Sequence, residues 1–155
     1  MGLRSEAALT NRFVQLGYAV FLPVGHNHRF DLLVEAADGR FLRVQCKTGR
    51  LRNGVIRFNT VSVRSNRRDV HRRSYADEVD AFGVWCPQNL TAYFVPIEEV
   101  ARGIASLRVE ETANRQSALV RWAADYALPE PKGTAEPRTG FEPATPVLQE
   151  RCSTS

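Results

Sequence analysis

The sequence predicts one α/β domain, and three observations lead to that expectation. A helix pattern stands near the start of the chain, and a series of strand patterns separated by turn residues follows it. The chain has 155 residues, of which 43% are hydrophobic, so it can bury one sizeable core and is too short for two. We expect the domain to span residues 1–130 and a tail to span residues 131–155.

The first predicted element is a helix over about residues 5–16. Its apolar residues recur at helical spacing and are Ala8, Leu9, Phe13 and Leu16. Ser5 is a candidate N-cap, Glu6 lies in the first turn, and Gly17 is a candidate C-terminal stop. One face of this helix is therefore apolar and available for packing.

Strand patterns account for most of the following residues. We expect strands at residues 18–22, 29–35, 41–47, 55–60, 79–87, 91–96 and 106–110. The turn sequence AADGR joins the second and third strands as a hairpin, and Asn53-Gly54 marks a further turn. Residues 97–104 are typical of a short helix. The arginine-rich residues 64–73 are typical of an exposed loop or of the start of a helix.

Charge and cysteine content restrict the class of protein. A formal net charge of +4 and a pI near 9.3 favour a polyanionic partner such as nucleic acid, although many small proteins are equally basic. Cys46, Cys86 and Cys152 show no paired spacing, so we expect reduced thiols. No stretch has the signal-peptide pattern or the roughly 20 apolar residues of a membrane span. We therefore expect a cytoplasmic protein without membrane contact.

The predicted hairpin brings polar residues of two strands together. In an antiparallel hairpin with this tight turn, two residues face each other when their residue numbers add up to about 75–77. Asp31 is therefore expected near Gln45 and Lys47. Leu42, Val44 and Cys46 alternate with these residues and point to the core. Glu6 reaches the same cluster if the first helix packs across the sheet.

This cluster has the composition of a site that hydrolyses phosphodiesters. Magnesium binds carboxylate and carbonyl oxygens, keeps several waters, and shares its remaining positions with phosphate. A bound metal polarises the phosphoryl oxygen and acidifies a water, while a nearby lysine orients the nucleophile or offsets developing charge. Lysine occurs only at Lys47 and Lys132, in a chain that otherwise uses arginine as its basic residue.

Extended stretches of the chain resemble the PD-(D/E)XK nuclease superfamily. The stretches are Glu6 in the first helix, GYAVFLPVGHNHRFDLLVE with Asp31, RVQCKTGRLRNG, RSYADEVDAFGVWCP, YFVPIEEV and NRQSALVRWAADY. More closely, the chain is similar to endonucleases of the homing type associated with group I introns. In that branch glutamine replaces the acidic residue of the (D/E)XK element, here as Gln45-Cys46-Lys47. The resemblance covers about residues 3–128.

The resemblance implies a fold, a cofactor and roles for individual residues. The fold is the restriction-endonuclease-like α/β class, with a mixed central sheet flanked by helices. Asp31 would be the main ligand of a divalent metal, with Gln45 and the backbone carbonyl of Cys46 as further ligands. Lys47 would act on the attacking water, and Glu6 would assist. The metal would be Mg²⁺, with Mn²⁺ as a substitute, and a dimer or higher homo-oligomer would cleave both strands of duplex DNA.

Each of these residues also has a structural interpretation. Glu6 alone is typical of a favourable charge in a first helical turn, Asp31 of a turn before a strand, and Lys47 of an exposed strand residue. Glutamine at position 45 also brings one negative charge fewer than the acidic residue of relatives, which weakens metal binding.

Several arginines are candidates for DNA contact. They follow Lys47 or lie in the arginine-rich segment, and they are Arg50, Arg52, Arg64, Arg67, Arg68, Arg72 and Arg73. Arginines of this kind neutralise phosphates and make affinity depend steeply on salt. The alternative is that they form an ordinary solvated loop.

The C-terminal residues have the composition of a disordered tail. Beyond Leu128 the chain holds five of its eight prolines and shows no periodicity. The segment Gly140-Phe141-Glu142-Pro143 can be encoded by GGTTCGAACC, which resembles the T-arm of a transfer RNA gene. We expect the reading frame to run into such a gene, as is typical of a mobile element, with a chance match as the alternative.

Taken together, these features predict a metal-dependent DNA endonuclease of the homing or mobile-element type. Two alternatives stay open at this point. One is a structure-selective nuclease of the Holliday junction resolvase kind, and the other is a catalytically inactive DNA-binding module with the same fold.

Overall fold

The computed structural model describes residues 2–25, 27–65, 70–111 and 120–131. Its helices are α1 (Gly2–Gln15) and α2 (Ala123–Tyr126), with a 3-10 turn at Ile97–Glu99. Its strands are β1 (Val20–Phe21), β2 (Leu32–Glu35), β3 (Phe41–Thr48), β4 (Arg50–Arg52), β5 (Val55–Asn59), β6 (Val61–Ser65), β7 (Val70–Ser74), β8 (Ala81–Cys86), β9 (Thr91–Pro96) and β10 (Ile104–Arg108).

A mixed five-stranded sheet forms the centre of the domain. Its strand order is β1-β2-β3-β8-β9, and every neighbouring pair is antiparallel except β3 and β8, which run parallel. A three-stranded sheet of order β10-β5-β4 and a two-stranded hairpin of β6 and β7 accompany it. The predicted α/β class with a mixed central sheet is therefore confirmed.

Helix α1 covers one face of the central sheet. Leu9 and Phe13 are fully buried there in one cluster with Val34, Val44 and Phe94 of the strands. Burial of two such side chains contributes on the order of 1.5–3 kcal/mol each. The apolar spacing that predicted the helix therefore also fixes α1 across β3 and β8.

The ends of α1 agree with the prediction at one terminus only. The helix begins at Gly2, so the prediction that Ser5 is the N-cap is wrong. Ser5 lies inside the helix, is buried, and shares a 2.6 Å hydrogen bond between its Oγ and Oγ1 of Thr48. At the C-terminus Gly17 has a φ of +87°, and Tyr18 N–H donates to Phe13 C=O, which is the expected glycine stop.

The three-stranded sheet packs on the opposite face of the central sheet. Ile56, Phe58 and Leu107 are buried in one cluster with Phe82 and Val84. Strands β8 and β9 are thus buried on both faces, which explains their almost continuous apolar sequence. This second layer begins directly after the strand that carries Gln45 and Lys47.

The three-stranded sheet depends on a turn with positive φ angles and on a glycine in close contact with the central sheet. Asn53 and Gly54 have φ values of +50° and +70° and form the turn between β4 and β5. A Cβ at Gly49 would lie 2.7 Å from Cγ2 of Ile56 and 2.9 Å from Cγ1 of Val84. Glycine therefore lets the chain pass from β3 into β4 where the two sheets are in contact.

Other predicted elements need correction. Residues 61–65 and 70–74 pair as antiparallel strands, so the prediction of a loop or helix start at 64–73 is wrong for the described part of that segment. The predicted helix at 97–104 is limited to one 3-10 turn, because Ile104 already pairs with Asn59 in a sheet. The predicted tail at 132–155 and Cys152 lie outside the described residues.

Neither described helix is both long and apolar enough to cross a membrane. Cys46 and Cys86, the cysteines within the described ranges, are both free thiols.

Candidate active site

The β2–β3 hairpin places the first members of the site. Leu32 pairs with Val44 and Glu35 with Phe41, so paired positions sum to 76, within the predicted range. Asp31 stands one residue before β2, and its backbone N–H donates to Val44 C=O at 2.9 Å. The hairpin register therefore holds Asp31 beside Gln45, just before β2 begins and where β3 continues past the last paired residue.

The Asp31 carboxylate is bound directly by β3. Its Oδ2 accepts a hydrogen bond of 2.5 Å from Nε2 of Gln45 and one of 2.8 Å from the backbone N–H of Cys46. The side chain of one strand residue and the main chain of the next thus fix a single oxygen. These bonds account for the position of Asp31 without any help from a metal.

Lys47 lies on the same face of β3 as Gln45. Its Nζ donates to the hydroxyl of Tyr75 at 3.1 Å and lies 4.5 Å from the centroid of the Tyr75 ring. The positive charge of Lys47 also acts on Asp31, since it is one of the influences that lower the Asp31 pKa.

Glu6 approaches from the other side of the sheet, on α1. The adjacent Ser5 is tied to Thr48 at the end of β3, which anchors this turn of the helix against the strand. The structure thus brings Glu6, Asp31, Gln45 and Lys47 together around one end of β3. Glu6 comes from the face covered by α1, and Lys47 from the face covered by the second sheet.

Both carboxyl groups are destabilised as anions. Burial raises the pKa of Asp31 despite the opposing hydrogen bonds from Cys46 and Gln45 and the charge of Lys47. Burial and then the charge of Asp31 raise the pKa of Glu6. Burial, Asp31 and Glu6 together also raise the pKa of the Cys46 thiol. Burial thus makes both carboxylate anions unfavourable, and a bound cation would stabilise them.

The oxygen donors at this point suit a hard divalent cation. They are the carboxylates of Asp31 and Glu6, the amide oxygen of Gln45 and the backbone carbonyl of Cys46. In residues 2–25, 27–65, 70–111 and 120–131 there is no cluster of three or more His, Cys, Asp or Glu side chains suited to a metal. A cation would thus depend on the amide, the main chain, water and phosphate for the rest of its ligands, as magnesium commonly does.

The orientation of Gln45 differs from the predicted ligand role. Its amide nitrogen faces Asp31, so the amide has to turn before its oxygen faces a cation bound by that carboxylate. The physical reason is charge, because a carboxylate without a metal attracts the N–H end of an amide.

A groove of about 1110 Å³ leads away from Lys47. It runs between the three-stranded sheet and the β6–β7 hairpin, and its basic lining residues are Lys47, Arg50, Arg52 and Arg57. Two predicted DNA-contact residues, Arg50 and Arg52, therefore lie on its wall. The groove extends the cluster around β3 into a long basic surface.

The remaining predicted arginines have other placements. Arg72 and Arg73 are exposed on β7, do not line the groove, and Arg73 donates to Glu78. Arg64 lies in β6, where only its backbone is described, and Arg67 and Arg68 lie outside the described residues.

Three residues near the site were missed in the sequence. Arg57 lines the groove, Tyr75 contacts Lys47, and Arg29 lies 4.2 Å from the centroid of the Tyr75 ring. The alternation of β5 could have indicated Arg57, because Ile56 and Phe58 are its buried neighbours. No sequence pattern indicates Tyr75 or Arg29, since both contacts depend on the tertiary fold.

Comparisons with known proteins identify the family and a similar fold. The family model described as PD-(D/E)XK endonuclease matches residues 1–129. A search of curated proteins gives no match. Among solved structures, the bacterial homing endonuclease I-Ssp6803I is similar, with a TM-score of 0.64 and 22% sequence identity over 81% of this chain and 85% of that one. This likeness shows a common fold.

The raised pKa of Asp31 predicts that Asp31→Asn stabilises the protein in metal-free buffer at pH 7. The Asp31 carboxylate is less favourable in the folded chain than in the unfolded chain, because burial removes it from water. This lowers the free energy of unfolding, and the full decrease is reached above the folded pKa of Asp31. We expect a higher urea midpoint for the variant at pH 7. The difference should shrink as the pH falls towards the unfolded pKa of about 3.9 and vanish about one unit below it, where the carboxyl is protonated in both states.

Asp80→Asn is the matched control for this measurement. Arg43 lowers the pKa of Asp80 through its guanidinium and its backbone N–H, so this substitution should destabilise the protein at pH 7. A lower urea midpoint for Asp31→Asn than for the unsubstituted chain at pH 7 would show that the anion at position 31 is stabilised and that our account of its environment is wrong.

Proposed function

The chain belongs to the PD-(D/E)XK endonuclease family, and from this premise we propose that it is a metal-dependent DNA endonuclease that hydrolyses phosphodiester bonds. One observation carries the proposal most directly. Asp31, Gln45, Lys47 and Glu6 lie around one end of β3, Lys47 also lines a basic groove, and the raised pKa values of the two carboxyl groups favour a cation beside them.

The proposed reaction adds a water oxygen to phosphorus and breaks a phosphorus–oxygen bond to the sugar. When bound, Mg²⁺ or Mn²⁺ would polarise the phosphoryl oxygen and acidify the water. Asp31 would hold the cation with the Cys46 carbonyl and the Gln45 oxygen, and Glu6 would add negative charge from α1. Lys47 donates from its ammonium group to the attacking water or to the oxygens that gain charge.

The solvent face of the three-stranded sheet supports duplex DNA as the substrate. Arg50 pairs directly with Arg57, and Arg52 and Arg108 lie on the same face in the next row, both beside Val55. These side chains place several positive charges on one face, and duplex DNA carries about one negative charge per 1.7 Å along its axis.

The type of nuclease and its assembly are further parts of the proposal. The fold shared with a homing endonuclease supports the homing or mobile-element type, and Gln45 in place of an acidic residue agrees with it. Two strands of a duplex need two sites, so we propose a homodimer or higher homo-oligomer. Residues 131–155, including the sequence like a transfer RNA gene, are proposed to be dispensable for cleavage.

The proposal predicts that the protein nicks supercoiled plasmid DNA only with Mg²⁺ or Mn²⁺. Lys47→Ala and Asp31→Asn should each lower the nicking rate at least about a hundredfold, because each removes a group at the reacting phosphate. Asp38→Asn is the matched control, since Asp38 is an exposed turn carboxylate paired with Arg40, and it should cleave like the unsubstituted chain. The rates are read from agarose gels.

Two outcomes would replace this proposal. Duplex binding without metal-dependent nicking, together with indifference to Lys47→Ala, would identify an inactive DNA-binding module. Preferred cleavage of a four-way junction over linear duplex would identify a structure-selective nuclease of the resolvase kind.

The basic sheet face predicts a change in salt dependence. In EDTA, Arg57→Ala should reduce the slope of log affinity against log salt by about 1, because one phosphate contact is lost. Arg40→Ala should leave the slope unchanged, since Arg40 is exposed in the turn before β3, away from the groove. Fluorescence anisotropy of a labelled duplex measures both. Equal slopes for Arg57→Ala and the unsubstituted chain would exclude this face as the DNA surface.

A further inference from the structure

Lys47 forms no ion pair with Asp31, the carboxylate on which its charge acts. Among the described residues, it has no ion pair within 4.0 Å with Glu6 either. Its hydrogen bond goes instead to the hydroxyl of Tyr75. Because the lysine side chain is flexible, its ammonium group would be expected to pair with the nearest carboxylate. Another contact must therefore hold the Lys47 ammonium group where it lies.

Tyr75 is fixed firmly enough to supply that cause. It is only 5% exposed, and its ring packs edge-on against Phe82 with 5.7 Å between centroids. The guanidinium carbon of Arg29 lies 4.2 Å from the centroid of the same ring. The ring is therefore held by the core and by a cation, while its hydroxyl faces Lys47.

Arg29 is itself held at three points. Its Nε donates to Glu78 at 2.5 Å, one terminal nitrogen donates to Ser62 Oγ at 3.0 Å, and the other donates to the Ser74 carbonyl at 2.8 Å. Ser62 and Ser74 belong to β6 and β7. The contact of Lys47 with Tyr75 is thus connected to the hairpin that forms one side of the groove.

We propose that Tyr75 is a positioning residue, which holds the Lys47 ammonium group away from Asp31 so that this carboxylate remains open to the cation. This inference rests on the proposed function and assigns a role to a residue outside the metal-binding and reacting groups. Without the phenol hydroxyl, Lys47 would turn towards Asp31 and compete with the metal.

The test measures Mn²⁺ binding by calorimetry, and cleavage activity is measured separately. Tyr75→Phe should weaken Mn²⁺ binding about tenfold or more, the size of one lost hydrogen bond to a charged group, and should lower kcat with little change in KM for DNA. Lys47→Met combined with Tyr75→Phe should bind Mn²⁺ as Lys47→Met alone does, because the competing ammonium is gone. Tyr93→Phe is the matched control, since Tyr93 is 3% exposed and its hydroxyl bonds only Asn89 among the described residues.

The proposal is overturned if Tyr75→Phe binds Mn²⁺ with unchanged affinity. It is also overturned if Tyr75→Phe weakens Mn²⁺ binding equally in the presence and absence of Lys47, since the effect would then bypass the lysine.

A second readout separates this inference from the proposed function. The chain has two lysines, Lys47 and Lys132, so their ammonium groups can be told apart by NMR. The Lys47 ammonium signal should be protected from exchange in the unsubstituted chain and in Tyr93→Phe, and lost in Tyr75→Phe. If no protein binds Mn²⁺ or nicks DNA, the proposed function fails. The same spectra then still support the contact if the signal is lost in Tyr75→Phe, and refute it if it is not.

Discussion

The pairing of β2 with β3 is the constraint on which the site depends. Because side chains alternate along a strand, a slip of one residue would turn Gln45 and Lys47 towards α1 and Val44 towards the groove. The buried Leu32, Val34 and Val44 oppose such a slip. The bond from Cys46 N–H to Asp31 then fixes the carboxylate at the end of the paired region. The buried apolar residues of the hairpin thus fix the register, and the positions of Asp31, Gln45 and Lys47 depend on that register.

Asp31 and Asp80 are both half-buried, but their charges are compensated to different degrees. Asp80 accepts bonds from the backbone and guanidinium of Arg43, so its charge is compensated and its pKa is lowered. Among the described residues the hydrogen bonds to Asp31 come from neutral donors, the Gln45 amide and the Cys46 N–H, and burial raises its pKa despite them and the charge of Lys47. The charge of Asp80 is compensated inside the chain, whereas that of Asp31 is not and lowers stability, which is common at functional sites. In our proposal the missing charge is supplied by a metal.

The parts of the fold that could be predicted from the sequence are those that depend on the spacing of apolar residues along a helix or strand. The alternation in residues 41–47 and the AADG turn were enough to predict the pairing of Asp31 with Gln45. The start of α1 was misjudged because Ser5 has the chemistry of a cap but uses its hydroxyl on Thr48, 43 positions away. The β6–β7 hairpin was missed because its arginines dilute a β pattern that pairing stabilises. Tyr75 and Arg29 come from segments with no local relation to Lys47, so their contacts required the fold.

The most direct test of the central claim is an anomalous difference map from a crystal soaked in Mn²⁺. The account predicts a peak about 2.0–2.6 Å from an Asp31 carboxylate oxygen and from the Cys46 carbonyl, with the Gln45 amide turned so that its oxygen faces the ion. A peak at another group of residues, or an Asp31 still bonded to the Gln45 nitrogen with no peak beside it, would contradict the claim that this hairpin builds a metal site.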